Sequence, residues 1–187
     1  MRPLASDAVL LVVDCQNGFM SEHSAPIIPA VARLMMEWRE RGMPVYASRF
    51  INYPNSPYER LIHWTKCATS PEIDIVDELQ DQLGSGVCVV EKSVYSFFTP
   101  KWRAHAKTAQ WSDVVIVGID TDGCVLKTAI DAFELDLTPW VVTDATASHS
   151  GERAYDAALY IAGRTIGGGQ LVEVERIIGA LPAGAGI

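Results

Sequence analysis

Ala8-Val-Leu-Leu-Val-Val13, closed by Asp14, is the stretch on which the reading of the fold turns. A run of apolar, largely β-branched residues with no polar alternation reads as a strand buried on both faces, which is the habit of parallel sheets. Downstream, Pro29 to Arg41 places Val31, Leu34, Met35 and Trp38 at helical spacing and stops at Gly42, a glycine stop signal. The same alternation of apolar run and helical segment then repeats. Strands are expected at Pro44–Ser48, Val87–Val90, Asp113–Val117, Pro139–Thr143 and, weakly, Arg164–Ile166. Helices are expected at Glu72–Leu83, Pro100–Gln110, from Thr121 or Asp122 to about Leu135, at Gly151–Ala162 and at Leu171–Leu181. Phe50 to Pro71, rich in Pro, Asn, Ser and aromatics, reads as a long loop, and a loop of that length in a compact domain is usually functional. The pattern is α/β: a three-layer α/β/α, doubly wound, six-stranded parallel sheet in the common order 3-2-1-4-5-6.

Length and composition bound the rest. At 187 residues, 49% apolar and 20% charged, the chain reads as a single folded domain over residues 1–187. The formal charge of -8 repels phosphate backbones and anionic lipid surfaces, so neither nucleic acid nor a membrane is the expected partner. Ala8 to Val13 is too short to span a bilayer, and Met1 to Asp7 has no secretory pattern. A cytoplasmic protein is expected. Cys15, Cys67, Cys88 and Cys124 form no C-x-x-C pair, and a reducing compartment keeps them as thiols. Gly167-Gly-Gly169 lacks a phosphate-loop pattern and reads as a turn into the last helix.

Doubly wound sheets bind ligands beyond the carboxyl ends of their strands, where strand order reverses. In this order that point lies between strands one and four. Asp14 ends strand one, Lys92 follows strand three, and Cys124 opens the helix after strand four, so an acid, a base and a thiol converge on one crevice. A helix N-terminus and a neighbouring lysine both favour thiolate, so the Cys124 pKa is expected to fall. Asp14, ending an apolar strand, is the candidate acceptor of its proton.

Three motifs at these positions, Val12-Val-Asp-Cys-Gln-Asn-Gly-Phe19, Glu91-Lys-Ser-Val-Tyr-Ser-Phe-Phe98 and Val117-Gly-Ile-Asp-Thr-Asp-Gly-Cys-Val125, occur with Thr128-Ala-Ile-Asp-Ala132 and Val142-Thr-Asp-Ala145. Together they resemble the isochorismatase-like cysteine hydrolases, a family that includes nicotinamidases, N-carbamoylsarcosine amidohydrolase, ureidoacrylate amidohydrolases and isochorismatases. The resemblance implies an Asp14, Lys92, Cys124 triad and a cis peptide between Ile119 and Asp120. It also implies an oxyanion hole from the backbone N–H groups of Asp120 and Cys124. Nicotinamidases carry a D-x-H metal motif after strand two, where this chain has Ser48-Arg-Phe-Ile-Asn-Tyr53. No metal or other cofactor is therefore expected, and His63 stands alone in its loop.

Phe19, Tyr95 and Phe98, beside the triad motifs, and Trp64, in the Phe50 to Trp64 loop, are the candidate substrate-binding residues. That loop either roofs the crevice or meets a neighbouring subunit, and a homo-oligomer, dimer or tetramer, is expected. Cys15, Cys88 and Cys67 read as core thiols. The expected activity is hydrolysis of a C–N bond in a small amide, carbamoyl or ureide substrate through a thioester on Cys124. Two rivals stand beside it: a catalytically idle family member serving as a binding or scaffold protein, and a nucleotide-binding Rossmann domain. The second is disfavoured because Asp14-Cys-Gln-Asn-Gly-Phe19 lacks the glycine fingerprint.

Overall fold

The opening apolar run becomes β1, Val9–Val13, third in a six-stranded sheet of order β3-β2-β1-β4-β5-β6. This computed structural model describes residues 2–84 and 86–182. The other strands are β2 (Val45–Phe50), β3 (Val87–Lys92), β4 (Asp113–Ile119), β5 (Thr138–Ala147) and β6 (Leu171–Val172), and every pairing between them is parallel. Helices α1 (Ile28–Glu40), α2 (Pro57–Ile62), α3 (Pro100–Thr108), α4 (Leu126–Glu134), α5 (Glu152–Ala162) and α6 (Val174–Ile178) connect and cover them.

Successive strand residues face opposite sides of the sheet, and here both sides are core. Leu10 and Val12 of β1 and Val115 and Val117 of β4 share one cluster with Val31, Leu34, Met35 and Trp38 of α1 and Val174 and Ile177 of α6. Val9, Leu11 and Val13, with Val114 and Ile116, share the other with Trp102 of α3, Ala129 and Ala132 of α4 and Ala162 of α5. A polar residue anywhere from Val9 to Val13 would therefore forgo about 1.5–3 kcal/mol of burial. The Trp38 indole, fully buried, also donates to the Ala8 carbonyl at 3.0 Å and locks α1 to the start of β1.

Four local expectations fail, each for a visible reason. Glu72–Leu83 is not a regular helix; its only helical part is a 3-10 segment, Asp77–Leu83. The Glu72 and Asp74 carbonyls accept from Gly18 and Asn17 instead, and the Val76 amide donates to Cys15, so this backbone is paired with the loop after β1. Phe50–Pro71 is not all loop, because Ser56 caps α2 by accepting from the Glu59 amide at 3.2 Å. Arg164–Ile166 is not a strand but a continuation of α5 in a π-helical turn, and the sixth strand is Leu171–Val172, within the span read as the last helix. Cys88 is exposed, because β3 is an edge strand and Cys88, Val89 and Glu91 are left uncovered.

At the centre of the sheet β1 and β4 pair from Val9↔Val114 to Val13↔Gly118. Gly118 has φ +111°, and a Cβ there would lie 2.1 Å from the Val13 carbonyl oxygen. The next residue, Asp14, leaves the strand at φ 48°, in the left-handed region that Asp tolerates better than most residues. Gly118→Ala is therefore expected to destabilise the protein by at least about 2 kcal/mol, read from urea denaturation. A midpoint within error of wild type would show that the strands do not approach this closely.

Candidate active site

Asp14 ends β1, Lys92 is the last residue of β3, and Cys124 lies in a π-helical turn, Thr121–Val125, that follows β4 and runs into α4. The peptide between Ile119 and Asp120 is cis. The Asp120 carbonyl accepts from the Gly123 amide at 3.1 Å and the Val125 amide at 2.9 Å, which fixes the turn carrying the thiol. Lys92 spans the gap from the sheet edge. Its Nζ passes 5.5 Å from the Phe50 ring centroid, donates to Asp14 Oδ2 at 2.5 Å and lies 3.5 Å from Cys124 Sγ. The Val94 and Tyr95 carbonyls, each at 3.0 Å, accept its remaining protons.

Asp14 and Lys92 are both fully buried at the side chain. The other Asp14 oxygen accepts from Ser48 Oγ at 2.7 Å, and the Asp14 amide donates back to that hydroxyl at 3.2 Å. Ser48 escaped the sequence reading; its signal is register, since Val12↔Ala47 pairing puts Ser48, in the middle of β2, beside the end of β1. Burial opposes the Lys92 charge, but Asp14 and Cys124 outweigh it and hold the ammonium above the ordinary lysine value.

The thiol behaves opposite to expectation. Burial, with the Asp14 charge and hydrogen bond added, pushes Cys124 well above the ordinary thiol range despite the opposing pull of Lys92. Desolvation of a thiolate outweighs one shared lysine and a helix end. The resting pair is therefore a neutral thiol beside a carboxylate already engaged by Lys92. Cys15 and Cys67 are also driven up, chiefly by burial, Cys67 to about 12.

Cys124 opens onto a pocket of about 540 Å³ walled by Phe19, Phe50, Tyr58, Trp64 and Tyr95. Phe19 and Trp64 stack at 5.4 Å between centroids and 8° between planes. Asn52 holds the Phe50 to Trp64 segment closed by donating to the Trp64 and Lys66 carbonyls and accepting from Ser56 Oγ at 2.7 Å. That segment roofs the pocket. Phe98 does not reach it; its ring is buried in the core against Phe97 and Trp111. One polar wall residue had no place in the sequence reading. His149, just beyond β5, meets Asp120 through its ring Nδ1 at 2.7 Å and its backbone amide at 2.8 Å. The isolated histidine of the sequence, His63, is exposed and outside the wall.

Among the described residues no three His, Cys, Asp or Glu side chains cluster as metal ligands. Asn52 directs its amide and carbonyl to loop atoms, and Asp14 is saturated by Ser48 and Lys92, so the donor set does not fit a metal ion. No helix among the described residues is long and apolar enough to cross a membrane.

A parallel doubly wound sheet with a carboxylate, an ammonium and a thiol gathered at its switch point defines an α/β protein equipped for nucleophilic chemistry. The chain belongs to the isochorismatase family, whose domain model matches residues 8–165. It is 28% identical over 162 residues to nicotinamidase 3 of Arabidopsis thaliana, covering 84% of this chain and 81% of that protein. It is 28% identical over 188 residues to the ureidoacrylate amidohydrolase RutB of Serratia proteamaculans, covering 82% and 75%. An isochorismatase-like hydrolase from Alkaliphilus metalliredigens shares the fold, with a TM-score of 0.81 at 22% identity over 93% of this chain and 98% of that one. So does a Pyrococcus horikoshii pyrazinamidase solved in complex with zinc, with a TM-score of 0.71 at 22% identity over 89% and 98%.

Lys92→Met removes the one charge that favours the Cys124 thiolate. Alkylation of Cys124 by iodoacetamide at neutral pH should slow about tenfold or more. The fold should lose about 3 kcal/mol, because Asp14 is left buried without its cation. An unchanged pH profile of alkylation would contradict the contact drawn between ammonium and thiol.

Proposed function

We propose that this protein is a cysteine hydrolase that cleaves the C–N bond of a small amide, carbamoyl or ureide substrate without a metal ion. The observation that carries the reading is the Cys124 thiol in the wall of a pocket shared with five aromatic side chains, joined through Lys92 to a buried Asp14. The names of the curated relatives, a nicotinamidase and an amidohydrolase, point the same way.

Asp14 accepts the Sγ proton as sulfur bonds to the substrate carbonyl carbon, and the carbonyl electron pair moves to oxygen. The backbone N–H groups of Asp120 and Cys124 receive that oxyanion. Its collapse breaks the C–N bond while Asp14 returns the proton to the leaving nitrogen. Water then gives a proton to Asp14 and its oxygen to the thioester carbon; the C–S bond breaks and Asp14 reprotonates the sulfur. A thiol of raised pKa suits this order, because the proton leaves only as the C–S bond forms. Lys92 keeps Asp14 oriented and balances the charge that moves between carboxylate and thiol.

Cys124→Ala should fold like wild type and lose at least about 10³-fold of ammonia release from a panel of small amides, and Asp14→Asn should do the same. Cys15→Ala, in the core cluster shared with α1, should keep substantial turnover. Hydrolysis persisting in Cys124→Ala would overturn the covalent route. Dialysis against a chelator should leave activity unchanged; loss that a divalent ion restores would overturn metal independence.

A further inference from the structure

The Asp120 carboxylate and the His149 side chain have no part in the route above, which uses only the Asp120 backbone N–H. Asp120 extends from the peptide beside the thiol turn, and both of its oxygens go to His149, one to the backbone amide and one to ring Nδ1. The loop that presents His149 is tied down independently. Ser21 Oγ donates to the His149 carbonyl at 3.2 Å, the Gly151 amide to the Ser148 carbonyl, and the Ser150 amide to the buried Ser148 hydroxyl. A clamp between the ends of β4 and β5 needs only the His149 backbone amide, which any residue but proline supplies. The imidazole itself does something more: it lies in the pocket wall, 4.9 Å from Trp64 and 6.0 Å from Phe19 between centroids. Its Nδ1 is committed to Asp120, and its Nε2 has no hydrogen-bond partner among the described residues.

The charges that act on the imidazole are those of Asp120, Asp122 and Lys66. The hydrogen bond to Asp120 holds it above the ordinary histidine value against the cost of burial. Of the other cations around the pocket, Lys92 serves Asp14 and two carbonyls and Lys127 pairs with Asp131, while Lys66 is exposed, 5.9 Å from the Trp64 ring centroid. Cys124 makes its polar contact with Lys92, so His149 is placed to hold a substrate and not to take the thiol proton.

We propose that His149, clamped by Asp120, is the specificity-determining residue of the pocket, its Nε2–H receiving a carboxylate that the substrate carries apart from its scissile amide. This rests on the proposed amidohydrolase reading and narrows its substrates to small anionic amides. The imidazolium form is required, so recognition is present at low pH and is lost as pH rises through the His149 pKa.

The test compares labelling of the intact protein by 3-maleimidopropionate, which is anionic, and N-propylmaleimide, which is neutral. Site-resolved mass spectrometry reads the rates. The ratio of the two rates at Cys124 cancels the ionisation of the thiol, and exposed Cys88 supplies the intrinsic ratio of the reagents. At pH 6 the Cys124 ratio should exceed that of Cys88 by about tenfold, as expected for a charge-assisted hydrogen bond. It should fall towards the Cys88 value at high pH and at every pH in His149→Phe. His149→Gln should remove the pH dependence, and Asp120→Asn should move it to lower pH, because the carboxylate that favours imidazolium is gone. A substitution that unfolds the chain declares itself by labelling of buried Cys15 and Cys67, and the wild-type pH dependence then decides alone. Labelling of Cys124 with no anionic preference, or with a preference that survives in His149→Phe, would overturn the role of His149 and leave the hydrolase reading standing. Failure of Cys124 to label while Cys88 reacts would overturn both.

Discussion

The rest of the site depends on one interaction, the ion pair between Asp14 and Lys92, with both side chains withdrawn completely from solvent. Burying two such ions costs several kcal/mol each, and their attraction offsets this only when the remaining hydrogen-bonding capacity is also met. Here it is met by parts from across the fold. Ser48 comes from β2, the Val94 and Tyr95 carbonyls from the segment after β3, and the Cys124 sulfur from the turn after β4. Neither ion can be satisfied until these strand ends are in place, so the pair ties local chemistry to the register of the sheet. A well-packed apolar pair of the same volume would stabilise the fold at least as well. Stability therefore gives no reason for charges at this position, whereas the proposed proton transfer to and from a thiol does.

The same burial decides the state of the thiol. Reading Cys124 as a residue at a helix start beside a lysine leads to a lowered pKa. Enclosure by protein and the nearby Asp14 charge lead to a raised one, and they prevail. The helix end is weak for a further reason: Cys124 sits in a π-helical turn whose Gly123 and Val125 amides already serve the Asp120 carbonyl. On the proposed route nucleophilicity comes from proton transfer coupled to attack, which gives Asp14 a part beyond that of an electrostatic neighbour.

Much of this was legible in the amino-acid sequence, and the exceptions share a cause. β1 and β4 could be read because burial on both faces demands unbroken apolar runs, and α1 because its buried residues repeat at helical spacing. Asp14, Lys92 and Cys124 could be singled out from the ends of strands one, three and four, and the family resemblance joined them as a triad. What escaped depends on contacts distant in sequence. Glu72–Leu83 has helical composition, but its carbonyls are claimed by Asn17 and Gly18. Leu171–Val172 is too short to carry a period, and only pairing with Val141 and Val142 makes it a strand. Phe98 stands beside the Lys92 motif yet turns into the core, whereas His149 reaches the pocket because β5 ends beside β4.

The central claim is that the acyl group passes through sulfur, and partitioning of that acyl group tests it most directly. A series of amides sharing one acyl group but differing in leaving amine is hydrolysed with hydroxylamine present, and the ratio of hydroxamate to free acid is measured. A common thioester on Cys124 predicts one ratio for every member of the series, whatever its overall rate. A ratio that changes with the leaving amine, or hydrolysis with no hydroxamate formed at any hydroxylamine concentration, would contradict the account and place water attack directly on the substrate.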